Sequence, residues 1–81
     1  MAKNNNDPVI NPEEIIKKEA RGMNNSFLGQ VQEITSDYIV VEKGSVEKER
    51  YNFPKNLFDR YDGHDVWFNI TEEQTKQYKK G

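Results

Sequence analysis

Apolar and polar positions change period several times along these 81 residues. From Phe27 the period is two. Phe27, Gly29 and Val31 alternate with Leu28, Gln30 and Gln32, and the segment closes at Ile34. Thr35-Ser36-Asp37 is a turn signal, and Tyr38-Ile39-Val40-Val41-Glu42-Lys43 is rich in β-branched residues, so the two segments predict a hairpin. Lys43 to Glu47 reads as a longer connection. Glu49 to Phe53 predicts a third strand with Tyr51 and Phe53 on one face. Pro54 has no N–H and stops the ladder or caps an edge. His64 to Ile70 is the clearest strand: His64, Val66, Phe68 and Ile70 share one face, and Asp65, Trp67 and Asn69 share the other.

Helical signals are shorter. Asn11-Pro12-Glu13-Glu14 combines an Asn cap, Pro at the first position and Glu in the first turn. Only Ile15, Ile16 and Ala20 follow as apolar residues before Gly22, which is little for a helix to bury. Leu57, Phe58 and Tyr61 have helical spacing over one turn, and Asp62-Gly63 is a turn. Thr71-Glu72-Glu73-Gln74 is a capping box that opens a short C-terminal helix, with Tyr78 as its large apolar contact.

Residues 1–13 read as a flexible tail. Val9 and Ile10 are the aliphatic residues there that can pack, and each returns ~1.5–3 kcal/mol at full burial. Ordering the backbone costs ~1–2 kcal/mol per residue, so the tail loses the comparison. Residues 14–81 then form one domain. Short strands at regular intervals predict a mainly β fold, a small antiparallel barrel of five or six strands with a short C-terminal helix. The expected core is Val31, Ile34, Ile39, Val41, Tyr51, Phe53, Leu57, Phe58, Val66, Phe68 and Ile70.

Composition narrows the chemistry. No run approaches the ~18 apolar residues of a membrane helix, which predicts no membrane insertion. Met1 to Asn6 lacks the apolar stretch of a secretory signal, so the expected location is cytoplasmic. The absence of cysteine excludes a disulfide framework, a thiolate zinc site and a cysteine nucleophile, and the single histidine excludes a multi-histidine metal site. Twelve Lys and Arg against fourteen Asp and Glu give a net charge of -2 with the signs interspersed. Nucleic-acid binding favours a basic excess or a segregated basic face, so this balance weighs against a nucleic-acid partner, with RNA kept as the alternative. No cofactor is implied, and the dispersed acids and serines give no catalytic constellation.

The order of these signals resembles the PRC-barrel superfamily. Leu28-Gly29-Gln30-Val31-Gln32-Glu33-Ile34 is similar to its L-G-x-V-x-[DE]-hydrophobic strand, and Tyr38-Ile39-Val40-Val41 to the strand that follows. Asn52-Phe53-Pro54-Lys55 is similar to the family's aliphatic-Pro step, with Phe53 in place of the usual Ile. Asp62-Gly63, the segment His64 to Ile70 and Thr71-Glu72-Glu73 resemble its last strand and exit. Lys18-Glu19-Ala20-Arg21-Gly22 and Val41-Glu42-Lys43-Gly44 resemble short, stand-alone archaeal members, and the likeness spans roughly residues 14 to 78. The resemblance implies a strand over about Ile16 to Arg21, against the local helix-start signal. The family includes a domain of the photosynthetic reaction centre H subunit, a domain of a ribosome maturation factor and adaptors in archaeal cell division. It therefore implies docking to another protein, or self-association, rather than catalysis.

Three sets of residues carry candidate function. Trp67 lies opposite the face holding Val66 and Phe68, and Tyr38 and Val40 lie opposite Ile39 and Val41. Exposed aromatics mark interface centres, so Trp67, Tyr38 and Val40 are the candidate protein interface of an adaptor. Lys48, Arg50, Tyr51 and Lys55 form the alternative, an aromatic–basic strip of an RNA- or ribosome-associated module. His64, among Asp59, Asp62 and Asp65, is the weaker alternative of a metal- or pH-responsive protein. It lacks the alternating ligands and distant Glu of an EF-hand loop, and turns collect Asp in any case.

Overall fold

The computed structural model describes residues 10–80. A single helical turn, α1 (Pro12–Ile15), is followed by seven strands: β1 (Glu19–Arg21), β2 (Phe27–Ile34), β3 (Tyr38–Lys43), β4 (Glu49–Pro54), β5 (Phe58–Tyr61), β6 (Asp65–Phe68) and β7 (Lys79–Lys80). They form one sheet in the order β5-β6-β1-β2-β3-β4-β7. The expectation of a mainly β fold holds. The strand number is higher than the expected five or six, because β5 and β7 are short pieces without a strand signature. The sheet is also not purely antiparallel: β1 runs parallel to β6.

The terminal strands β5 and β7 do not pair with each other, so the sheet is not a closed barrel. It is nonetheless tightly curled. β4 and β6 are four strands apart in the order, about 19 Å on a flat sheet at about 4.8 Å per strand. Yet the rings of Phe53 on β4 and Phe68 on β6 lie 5.2 Å apart. Curling of this degree brings one face of every long strand onto a common core.

Irregularities in β2 set that curvature. Ala20 pairs with Gly29 but Arg21 pairs with Phe27, leaving Leu28 unpaired in a bulge. Alternation placed Leu28 on the outer face; the bulge turns it inward, and it is buried. Gly29 has φ +135°, and a Cβ there would stand 2.6 Å from the carbonyl oxygen of Glu42. A second register shift falls between Val31 and Glu33. The sequence period of two therefore breaks twice within eight residues.

The core contains the expected Val31, Ile39, Val41, Tyr51, Phe53, Val66, Phe68 and Ile70. Ile34, Leu57 and Phe58 pack against it only in part. Ile15, Ala20 and Leu28 join it without having been expected. Ile15 anchors α1, whose cap forms as its sequence predicts: the Asn11 side chain accepts from the Glu13 N–H at 3.1 Å. The helix-start and strand readings of this segment both hold, in succession. The strand is shorter than the Ile16–Arg21 expected, since Lys17 takes φ 73° and ends the helical turn first.

Of the tail expected over residues 1–13, residues 1–9 lie outside the described residues. Ile10 packs against the core and Asn11 caps α1, so the folded unit begins before residue 14. Lys55 to Tyr61 departs from its helical spacing: a 3₁₀ turn covers Lys55–Leu57, and Phe58 opens β5. At the C-terminal end the capping box forms reciprocally. The Gln74 N–H donates to Thr71 Oγ1 at 3.1 Å, and the Thr71 N–H donates to Gln74 Oε1 at 3.0 Å. The helix it opens is 3₁₀, Glu73–Tyr78, and sets the Tyr78 ring edge-on to Phe53. Among the described residues no helix is long and apolar enough to cross a membrane.

Candidate interaction surface

The outer face of the sheet carries a row of side chains that runs across four strands. Arg60 on β5 pairs in register with Trp67 on β6. Trp67 pairs with Arg21 on β1, and Arg21 with Phe27 on β2. Cation and aromatic alternate along the row. The Arg60 guanidinium lies 4.8 Å from the Trp67 ring centre, and the Arg21 guanidinium 5.8 Å from that of Phe27. Lys43, at the end of β3, closes the row with its Nζ 5.9 Å from Phe27. Each contact is within cation–π range.

Carboxylates neutralise the cations of this row. Arg60 pairs with Asp59 at 2.6 Å, Arg21 with Glu19 at 2.9 Å and Asp65 at 3.6 Å, and Lys43 with Glu72 at 3.2 Å. Arg60–Asp59 is about half-exposed, whereas Arg21 and Asp65 are largely covered; the solvent-facing pairs hold geometry more than they stabilise.

Trp67 is fixed by the turn between β5 and β6. Asp62 Oδ1 accepts from the backbone N–H groups of His64, at 2.8 Å, and Asp65, at 2.7 Å. Its Oδ2 accepts from the Trp67 indole N–H at 2.8 Å. The N–H of Asp65, then the indole of Trp67, then the N–H of His64 bring the Asp62 carboxyl down to about 2. One side chain thus closes the turn and sets the ring, which is half-buried.

The expected interface residues separate. Trp67 lies in the row. Tyr38 is 42% exposed but sits at the far end of β3, paired with Pro54. Val40 pairs with Glu33 and Asn52 and is only 6% exposed, so it offers no surface to a partner. Alternation placed it opposite Ile39 and Val41, and it is absent from the core cluster they belong to, yet it is buried.

The basic strip does not assemble as a stacking platform. Tyr51 points into the core, and its hydroxyl donates to Glu49 Oε1 at 2.8 Å. Burial first, and the adjacent Glu49 second, push the phenol upward in pKa. Lys48 and Arg50 share one carboxylate, Glu42, at 3.8 and 3.4 Å. Lys55 lies beyond the other end of β4 in the 3₁₀ turn. His64 Nδ1 stands 2.9 Å from Asp65 Oδ1, with 86% of its side chain exposed. Among the described residues no three His, Cys, Asp or Glu side chains group to hold a metal ion.

Sequence reasoning missed Arg60, Arg21, Phe27 and Lys43 as members of one surface. Alternation placed Phe27 on the inward face with Val31, and the bulge at Leu28 turns it outward; adjacency of the four depends on β1 inserting between β6 and β2. Asp62 was legible as a turn residue and not as the acceptor of the indole. No protein-family model matches this chain, and a search of curated proteins finds no match.

Proposed function

We propose that this chain is a non-enzymatic, cytoplasmic adaptor of the PRC-barrel type that docks another protein through the outer face of β5, β6, β1 and β2. The observation that carries this reading is the cross-strand row Arg60–Trp67–Arg21–Phe27. Trp and Arg dominate the energetic centres of protein interfaces. Here the Trp67 ring is held by Asp62 and lies against Arg60 before any partner arrives, so less side-chain entropy is lost on binding. Phe27, 42% exposed, gives the row an apolar end. The family reading draws support from the Leu28-to-Ile34 motif lying on β2 and from the curled sheet around one core.

A protein partner is favoured over RNA by the charges. Each cation of the row already has a carboxylate within 4 Å, and the chain carries a net charge of -2. A polyanion gains affinity when unpaired protein cations displace its condensed counterions into bulk solution, and this surface offers few such cations.

Capture from the source cell after cross-linking identifies the partner, and titration of that purified partner tests the site. Phe27→Ala and Arg60→Ala are each expected to weaken binding by roughly tenfold. Their thermal midpoints should stay close to that of the parent, since both side chains reach solvent and neither belongs to the core cluster. Unchanged affinity in both variants would overturn the assignment. So would RNA as the captured species, with binding that falls steeply in salt.

A further inference from the structure

The strand β5 is the outermost of the sheet at one edge, and no strand lies on its other side among the described residues. Exposed edges invite pairing unless something blocks them. The sequence of this edge is Phe58-Asp59-Arg60-Tyr61. Laid antiparallel against itself, it matches at every position. Phe58 meets Tyr61 of the second copy, and Asp59 meets Arg60, each pair occurring twice about the axis. We propose that β5 pairs with β5 of a second copy of this chain, antiparallel about a two-fold axis between Asp59 and Arg60.

Three features of the fold support a second copy as the occupant. The first is this charge complementarity. Among the described residues the ion-pair partner of Asp59 and of Arg60 is the other, at 2.6 Å, with about half of each side chain exposed. The second is the state of the core at this edge. Leu57, Phe58 and Tyr61 are only partly buried although they pack on it, because the sheet does not close over them. A second β5 covers that flank. The third is symmetry. The opposite edge, β7, is two lysines long and cannot template a strand. Pairing at β5 alone is isologous and closes at two copies, whereas pairing of unlike edges would run on into fibres.

The register shift between Phe58 and Arg60 limits the ladder to this short stretch. A four-residue edge buries less than a standard interface, so the dimer is of the weak, transient kind. It shares Arg60 with the aromatic row, but the far end of that row, Phe27, lies three strands away in the sheet.

Sedimentation of the full chain at low salt, over a concentration series reaching about 1 mM, reads the association directly. The parent chain is expected to pass from monomer to dimer and to shift back toward monomer as salt rises. Asp59→Arg sets Arg against Arg60 of the second copy and is expected to weaken the dimer by roughly tenfold or more. The double variant Asp59→Arg, Arg60→Asp restores opposite charges in the same register and should restore the dimer. Phe27→Ala should leave it unchanged, which separates this surface from the aromatic row. Amide exchange in the parent chain is a second measure that needs no variant: protection within residues 58–61 should rise with concentration. A parent chain that stays monomeric throughout, concentration-independent exchange in β5, or a dimer indifferent to Asp59→Arg would overturn the proposal.

Discussion

The indole N–H of Trp67 donates to Asp62 Oδ2 at 2.8 Å, across the turn that joins β5 to β6. The same carboxylate closes that turn through two backbone N–H groups. The position of the ring on the outer face is therefore tied to the charge on one exposed acid.

That tie has a defined pH dependence. The Asp62 carboxyl falls from its ordinary 3.8 to about 2 in the folded chain. A group lowered on folding contributes stability above its unfolded value, and the contribution is lost as pH falls through the folded value. Trp67 is the only tryptophan, so its emission reports the site. The emission should hold from neutral pH to about pH 4 and move to the red only toward pH 2. Asp62→Asn should be shifted at neutral pH and should lose this acid step. A transition centred near 4 in the parent chain would show that the carboxylate does not hold the ring.

Gly29→Ala tests the bulge that shapes β2. The position has φ +135°, and the added Cβ would meet the Glu42 carbonyl oxygen at 2.6 Å and Val41 Cγ1 at 2.8 Å. Backbone strain and overpacking act together, and the expected loss is about 2–5 kcal/mol. Urea unfolding measures it. A loss below about 1 kcal/mol would mean that β2 and β3 separate freely at this point.

Lys17→Gly should act in the opposite direction. Lys17 ends α1 at φ 73°, a conformation that costs a side-chain-bearing residue about 1–2 kcal/mol. Glycine returns part of this as extra unfolded-state entropy, leaving a net gain of about 0.5–1 kcal/mol. The Lys17 N–H bond to the Val31 carbonyl, 2.7 Å, needs no side chain and is retained. A rise in thermal midpoint is the expected reading, and a fall would show that the lysine side chain contributes contacts that outweigh the strain.

Local patterns were reliable where one strand or one cap decides the outcome. The hairpin of β2 and β3, the inward faces of β4 and β6, the Asn11 cap and the Thr71–Gln74 capping box all rest on residues within a few positions of each other. They were less reliable where a pairing partner intervenes. Leu28 was placed outside by alternation and is inside because Ala20 and Arg21 pair around it. Phe58 was read with a helical turn and opens a strand because β6 offers it a partner.

The sequence by itself determined that this is one small, mainly β unit with a core of alternating apolar residues, no cysteine chemistry and no net basic charge. Periodicity and composition suffice for that, because side-chain direction along a strand follows from backbone geometry alone. Only the tertiary structure decided that β1 sits between β6 and β2. That insertion sets Arg60, Trp67, Arg21 and Phe27 side by side, although the four are spread from residue 21 to residue 67. Strand order depends on which hydrogen-bonding edges meet when the whole sheet curls around Phe53 and Phe68, and no local pattern in the chain encodes that choice.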